Sequence, residues 1–138
     1  MSTTTKFVHA SSAGAHYFRP AKFVDAFALI MRPREFTRTS VDGKPEVLCS
    51  ILIFDTEDSL LDVGRPTRVL PDAIVNVGVL YKQLARTFGQ GGVLAGYVGQ
   101  GDVTTYGTRP WIIKDLDPDT QARIEQVWGE VAERGGRQ

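Results

Sequence analysis

One cysteine, two histidines and no apolar run longer than a strand are all that this chain of 138 residues contains of three informative features. Each shortage removes a class of protein. A lone Cys49 leaves no disulfide framework within the chain, and its setting in "VLCSILIF" marks a small buried hydrophobe. His9 and His16 stand near the N-terminus with no cysteine or acidic cluster beside them, so no metal site is expected. The longest apolar stretch, Leu48 to Phe54, is strand-sized and far too short to cross a membrane. "MSTTTKFVHASSAGAHYF" lacks the apolar segment of a secretory signal. The reading is a cytoplasmic protein with no membrane partner.

A charge excess is also missing. Sixteen Lys and Arg balance sixteen Asp and Glu, which argues mildly against a nucleic-acid binder. The distribution is less even. Residues 1–44 carry seven basic and three acidic side chains, residues 45–72 two and six, residues 73–111 three and one, and residues 112–138 four and six. Local patches of this kind, rather than the total, decide whether a polyanion docks. Catalysis finds no constellation: nucleophiles need a positioned base, and the histidines lie far from Cys49. The carboxylates of "DTEDSLLD", Asp55 to Asp62, lack the glycine and the spacing of a calcium loop and read as an acidic solvated loop. No enzymatic activity and no cofactor are expected.

What is present organises into one domain. Residues 1–18, rich in Ser, Thr, Ala and Gly, read as a flexible arm, and residues 19–138 as the folded part. "KFVDAFALIMRPREFTRTSVDGKPEVLCSILIFD" reads as a long hairpin turned at Asp42-Gly43. Pro33, which has no N–H to donate, requires a bulge or an edge near that point. "TEDSLLDVGRPTRVLPDA" reads as a loop or broken strand, and "AIVNVG" as a strand. In "VLYKQLARTFG", Leu80, Leu84 and Phe88 make one helical stripe closed by Gly89. "GGVLAGYVG" and "RPWIIKDL" are further strands. A terminal helix from Pro118 to Arg134, capped by Asp117, should bury Ile124, Val127, Trp128 and Val131. Five strands with one helix between the third and fourth predict a mainly β fold, a five-stranded antiparallel OB-fold barrel whose end is plugged by Leu80, Leu84 and Phe88.

The glycines of "GYVGQGDVTTYGTRPW" do not form a phosphate cradle. A dinucleotide fingerprint needs a strand before and a helix after, but Gly99, Gly101 and Gly107 lie between two strand-like segments, and no P-loop lysine follows. The stretch reads as a hairpin with a long loop, which in an OB-fold flanks the oligonucleotide face. Tyr97, Tyr106 and Trp111 offer flat rings and Arg109 a guanidinium. "RPREFTR" adds Arg32, Arg34, Phe36 and Arg38, with the cations on one parity. Cations that pair phosphates and rings that stack bases are what a single-strand groove uses. Trp111 and Tyr97 also suit a barrel interior, and both readings stay open.

The segments "VLYKQLARTFG", "GGVLAGYVGQGD" and "RPWIIKDLDPDTQARIEQVW" together resemble small single-stranded DNA-binding proteins encoded by phages of actinobacteria. In that family a helix with an LARQL-like stretch precedes a glycine-rich strand, followed by a strand opening on Pro-Pro-Trp and a terminal helix. The resemblance covers about residues 20–132. It implies an OB-fold that coats single-stranded DNA, without sequence preference, during replication or recombination. Two departures matter. The tail "VAERGGRQ" is not the acidic tip with which bacterial relatives recruit replication partners, and the zero net charge implies salt-sensitive affinity. The alternative is a structural or assembly protein of a virion or complex, using its small barrel and terminal helix for protein contacts. A homo-oligomer through that helix or an edge strand fits either reading.

Overall fold

Residues 28–54 carry the apolar runs "ALIM" and "VLCSILIF", and they form the two longest strands of the structure, a computed structural model that describes residues 16–40 and 43–136. The side chains of residues 37–38 and 132–136 lie outside that description. Strand β1 (His16–Tyr17) and a short 3-10 turn (Pro20–Phe23) precede β2 (Ala28–Thr39), β3 (Pro45–Phe54) and β4 (Arg68–Val75). Helix α1 (Gly78–Gly89), strands β5 (Leu94–Gln100) and β6 (Trp111–Lys114), and helix α2 (Pro118–Gly136) complete the order. The strands make one mixed sheet in the order β1-β4-β3-β2-β5-β6. Only β1 and β4 run parallel.

Period-two alternation gives the sheet two apolar faces. Leu29, Met31, Val47, Cys49, Ile51 and Ile53 point to one side, where Leu80 and Leu84 of α1 cover them. Ala28, Ile30 and Phe54 point to the other and meet Ile124 and Val127 of α2. Pro33 pairs with Cys49, two residues beyond the last residue of β2 that β5 reaches, Met31. The register shifts between Pro33 and Glu35, so the strand bulges where the missing donor required it.

The chain is mainly β, as its pattern implies, but the expected closed five-stranded barrel is replaced by an open six-stranded sheet. The reason lies in its edges. The outer edge of β4 is occupied by β1, with His16 opposite Ala73 and the Phe18 N–H donating to the Ile74 carbonyl at 2.8 Å. The outer edge of β6 is met by a side chain of α1. The Gln83 carboxamide donates to the Ile113 carbonyl at 3.0 Å and accepts from the Ile113 N–H at 2.9 Å. One amide thus stands in for a strand residue, and β4 and β6 do not pair.

Smaller expectations are also corrected. Residues 16–18, read as part of the arm, belong to the fold, and Phe18 is buried. Residues 1–15, including His9, and the turn residue Asp42 lie outside the described residues. Phe88 does not plug the interior; it is half exposed at the end of α1. The left-handed residue after that helix is Gly91 (φ 70°) rather than Gly89. Strand β4 starts at Arg68, ahead of Pro71, because a register shift after Cys49 accommodates the proline. Trp128 and Val131 are only partly buried, whereas Ile124 and Val127 are fully so.

Asp117 caps α2 as expected: its carboxylate accepts from the Thr120 N–H at 3.1 Å and from the Thr120 hydroxyl at 2.5 Å. Those bonds hold its carboxyl below the ordinary carboxylate value. Hydrogen bonds from Arg68 and then Thr67 do the same for Asp55. A carboxylate depressed in the folded state contributes stability that is complete above its unfolded pKa, near 4, and disappears as pH falls through the folded value. Asp55→Asn and Asp117→Asn are therefore expected to lower the melting temperature at neutral pH. Their deficit against the parent protein should shrink below about pH 4. A deficit that stayed constant to the acid limit would refute this account.

Gln83→Leu keeps the bulk of the side chain and removes both bonds to Ile113. The expected loss is about 1–3 kcal/mol, from two bonds at roughly 0.5–1.5 kcal/mol each, read from urea unfolding.

Candidate nucleic-acid interface

The glycine-rich stretch is a hairpin. β5 and β6 pair antiparallel with Tyr97 opposite Lys114 and Gln100 opposite Trp111. Gly96 is fixed by packing, since a Cβ there would lie 2.2 Å from the Lys114 carbonyl oxygen. The loop closes at its base through the Gly101 N–H, which donates to the Pro110 carbonyl at 2.8 Å. Nearer the tip the Thr104 N–H donates to the Thr108 carbonyl at 2.7 Å, and the two threonine hydroxyls share a bond of 2.9 Å. Gly107 supplies the left-handed residue (φ 79°) that this turn needs. The turn leaves the Tyr106 ring 92% exposed, so the loop is braced while its aromatic tip touches little of the protein.

The structure does not bring the eight sequence-derived residues to one face. Arg32 and Arg34 lie on the α2 side of the sheet, with Arg32 opposite Ser50. Arg34 donates to the Pro71 carbonyl at 2.8 Å and pairs with Asp72 at 2.5 Å, so its guanidinium is committed to bridging β2 and β4. Phe36 has the same parity in sequence but packs on the opposite side, among Tyr81 and Phe88, with ring centroids 5.6 and 4.8 Å away. The bulge after Pro33 explains this. One extra residue in β2 reverses the side to which the following side chains point. The proline and the one-sided arginine pattern were therefore incompatible readings of the same seven residues. Arg38 stands opposite Glu46 in register, and its side chain lies outside the described residues.

Tyr97 shares parity with Ala95 and so lies on the α2 side, where it is partly exposed beside Lys114. Trp111 packs against the core on the α1 side and walls a cleft of about 490 Å³. Arg109 and Tyr106 project with the loop between these two faces. Lys114 was missed by sequence reasoning, although its place across from Tyr97 follows once the hairpin register is known. Its side chain lies over Gly99, where a Cβ would come within 2.8 Å of it. Among the described residues Arg32, Arg109 and Lys114 form no ion pair, unlike Arg34 and Arg68.

The titratable groups elsewhere provide little chemistry. Burial pushes the Cys49 thiol up to about 12, which keeps it protonated and inert. Asp58 is raised by its hydrogen bond to Asp62 and by that carboxyl's charge. Among the described residues no group of three or more His, Cys, Asp or Glu side chains is arranged to hold a metal ion. Among them, too, no helix is long and apolar enough to cross a membrane. The arrangement that remains is one of free cations and exposed rings along the β5–β6 hairpin. Compared with protein-family models, with curated proteins and with solved structures, the chain finds no match.

Proposed function

We propose that the chain is a sequence-independent single-stranded DNA-binding module of OB type, which coats single strands during replication or recombination. The pairings β2–β3, β3–β4, β2–β5 and β5–β6, with a helix between β4 and β5, support the OB reading; the closing pair alone is missing. Such folds bind oligonucleotides through strand faces and the loops beside them, and are themselves only partly closed. The observation that carries the reading is Tyr106: an almost fully exposed ring on a hydrogen-bonded turn, three residues from the free guanidinium of Arg109. Leaving a large ring in water has no benefit for the fold, whereas a base stacks on it at little ordering cost.

In this reading Tyr106 and Tyr97 stack bases while Arg109 and Lys114 pair with phosphates along the hairpin. Arg32 adds an exposed cation on the α2 side of the sheet. Phe36, locked among rings, and Arg34, held by Asp72, serve the fold.

The test is fluorescence anisotropy of labelled dT oligomers across a salt series, with duplex DNA as control. Tyr106→Ala is expected to weaken binding by about fivefold to a hundredfold, the equivalent of about 1–3 kcal/mol of stacking, with little change in the salt slope. Arg109→Ala combined with Lys114→Ala should weaken binding of all sequences alike. It should also flatten the slope by about 1.4, for two phosphates at about 0.7 each on a single strand. No binding at low salt, or equal affinity for duplex, would favour an assembly protein that uses the same surfaces for protein contacts.

A further inference from the structure

The seam where a barrel would have closed is not sealed by packing. Between the outer edge of β4 and the end of β6 run two adjoining clefts that share Tyr17, Phe18 and Arg19. One, of about 490 Å³, extends over Asn76 and Val77 to Trp111. The other, of about 520 Å³, follows β4 from Val69 to Ala73 past Lys22 and Phe23. Together they make a trough along the sheet edge, with segment 16–23 lying across its middle.

Its lining differs from the rest of the surface in two respects. Tyr17 is nearly half exposed while its hydroxyl donates to the buried Glu46 carboxylate at 2.5 Å, which fixes the ring against the trough. Arg19 and Lys22 are exposed and, among the described residues, form no ion pair. Asp72 is engaged by Arg34, Asp55 by Arg68 and Glu46 by Tyr17. Asp25 is the one carboxylate of residues 16–27, against Arg19 and Lys22, so positive charge stays in excess on this segment, beside flat rings in a concave site. Exposed cations beside rings, over an apolar floor that includes Phe18, Phe23 and Leu70, are the chemistry of a nucleotide subsite. The trough is also continuous with the proposed hairpin interface, because Arg109 lies two residues from Trp111 at its mouth.

We infer that the open seam is a second single-strand subsite, in which bases lie against Trp111 and Tyr17 and phosphates pair with Arg19 and Lys22. This rests on the single-stranded DNA reading and extends it: a strand leaving the β5–β6 loop passes over Trp111 and follows the edge of β4. The missing β4–β6 pair then has a use, since a closed barrel would have no trough.

The experiment compares the parent protein with Arg19→Ala combined with Lys22→Ala, two exposed positions whose loss should leave the melting temperature unchanged. Labelled dT oligomers long enough to span both sites are titrated over a salt series. Trp111 fluorescence is followed in parallel in a Trp128→Phe background. The expected result is roughly tenfold weaker binding by the double variant, a salt slope reduced by about 1.4, and quenching of Trp111 by dT in the parent background. Unchanged affinity and slope in the double variant, with the parent still binding, would overturn the seam subsite and leave the hairpin interface standing. Absence of binding by the parent protein would overturn both.

Discussion

Two hydrogen bonds from one carboxamide to one peptide unit hold the far edge of this sheet. Gln83 donates to the Ile113 carbonyl and accepts from its N–H, and Ile113 is 4% exposed, so neither group could turn to water instead. A buried peptide group without a partner costs about 1–3 kcal/mol, and an unpaired edge also invites association with other chains. In a closed barrel the next strand would solve both problems. Here a glutamine on α1 solves the first for β6, and the short strand β1 covers Ala73 and Ile74 of β4. With Ile113 of β6 satisfied by Gln83 and two residues of β4 covered by β1, the sheet stays open, and the gap between the two edges becomes surface.

The second constraint is Pro33. β2 is shared by the two halves of the sheet, pairing with β3 along its length and with β5 over Leu29 to Met31. A proline within that shared strand is tolerated only beyond the end of β5, and the bulge that follows reverses the facing of Phe36. The ring cluster of Phe36, Tyr81 and Phe88 against the end of α1 depends on that reversal. The same bulge separates Arg32 and Arg34 from Phe36. A local backbone irregularity thus decides which side chains can act together.

Charge is partitioned in a comparable way. Within the acidic stretch of residues 45–72, Glu57, Asp58 and Asp62 are exposed, as expected of a solvated segment. Asp55 and Asp72 instead engage Arg68 and Arg34 beside β4. Arg19, Lys22, Arg109 and Lys114, at the seam and on the β5–β6 hairpin, are among the cations outside these pairs. A chain of zero net charge can therefore present local basic patches, because potential at a surface follows local, unpaired charge.

The sequence by itself determined the elements whose causes are local. Asp117 followed by Pro118 and the spacing of Ile124 and Val127 fix the start and buried face of α2. The Leu80–Leu84 stripe fixes α1. The glycines between two strand-like runs fix the β5–β6 hairpin, and the aromatic Tyr106 amid Thr and Gly was legible as an exposed tip. Tertiary structure alone decided the rest. Whether the barrel closes depends on how far Gln83 and the segment around Tyr17 reach across the sheet, and these contacts join residues 30 and 57 positions apart. Which face Trp111, Tyr97 and Phe36 occupy depends on cross-strand register, and a single bulge changes it. Arg19, Lys22 and Lys114 carried no sequence signal, because an unpaired cation is defined by the carboxylates that fold away from it.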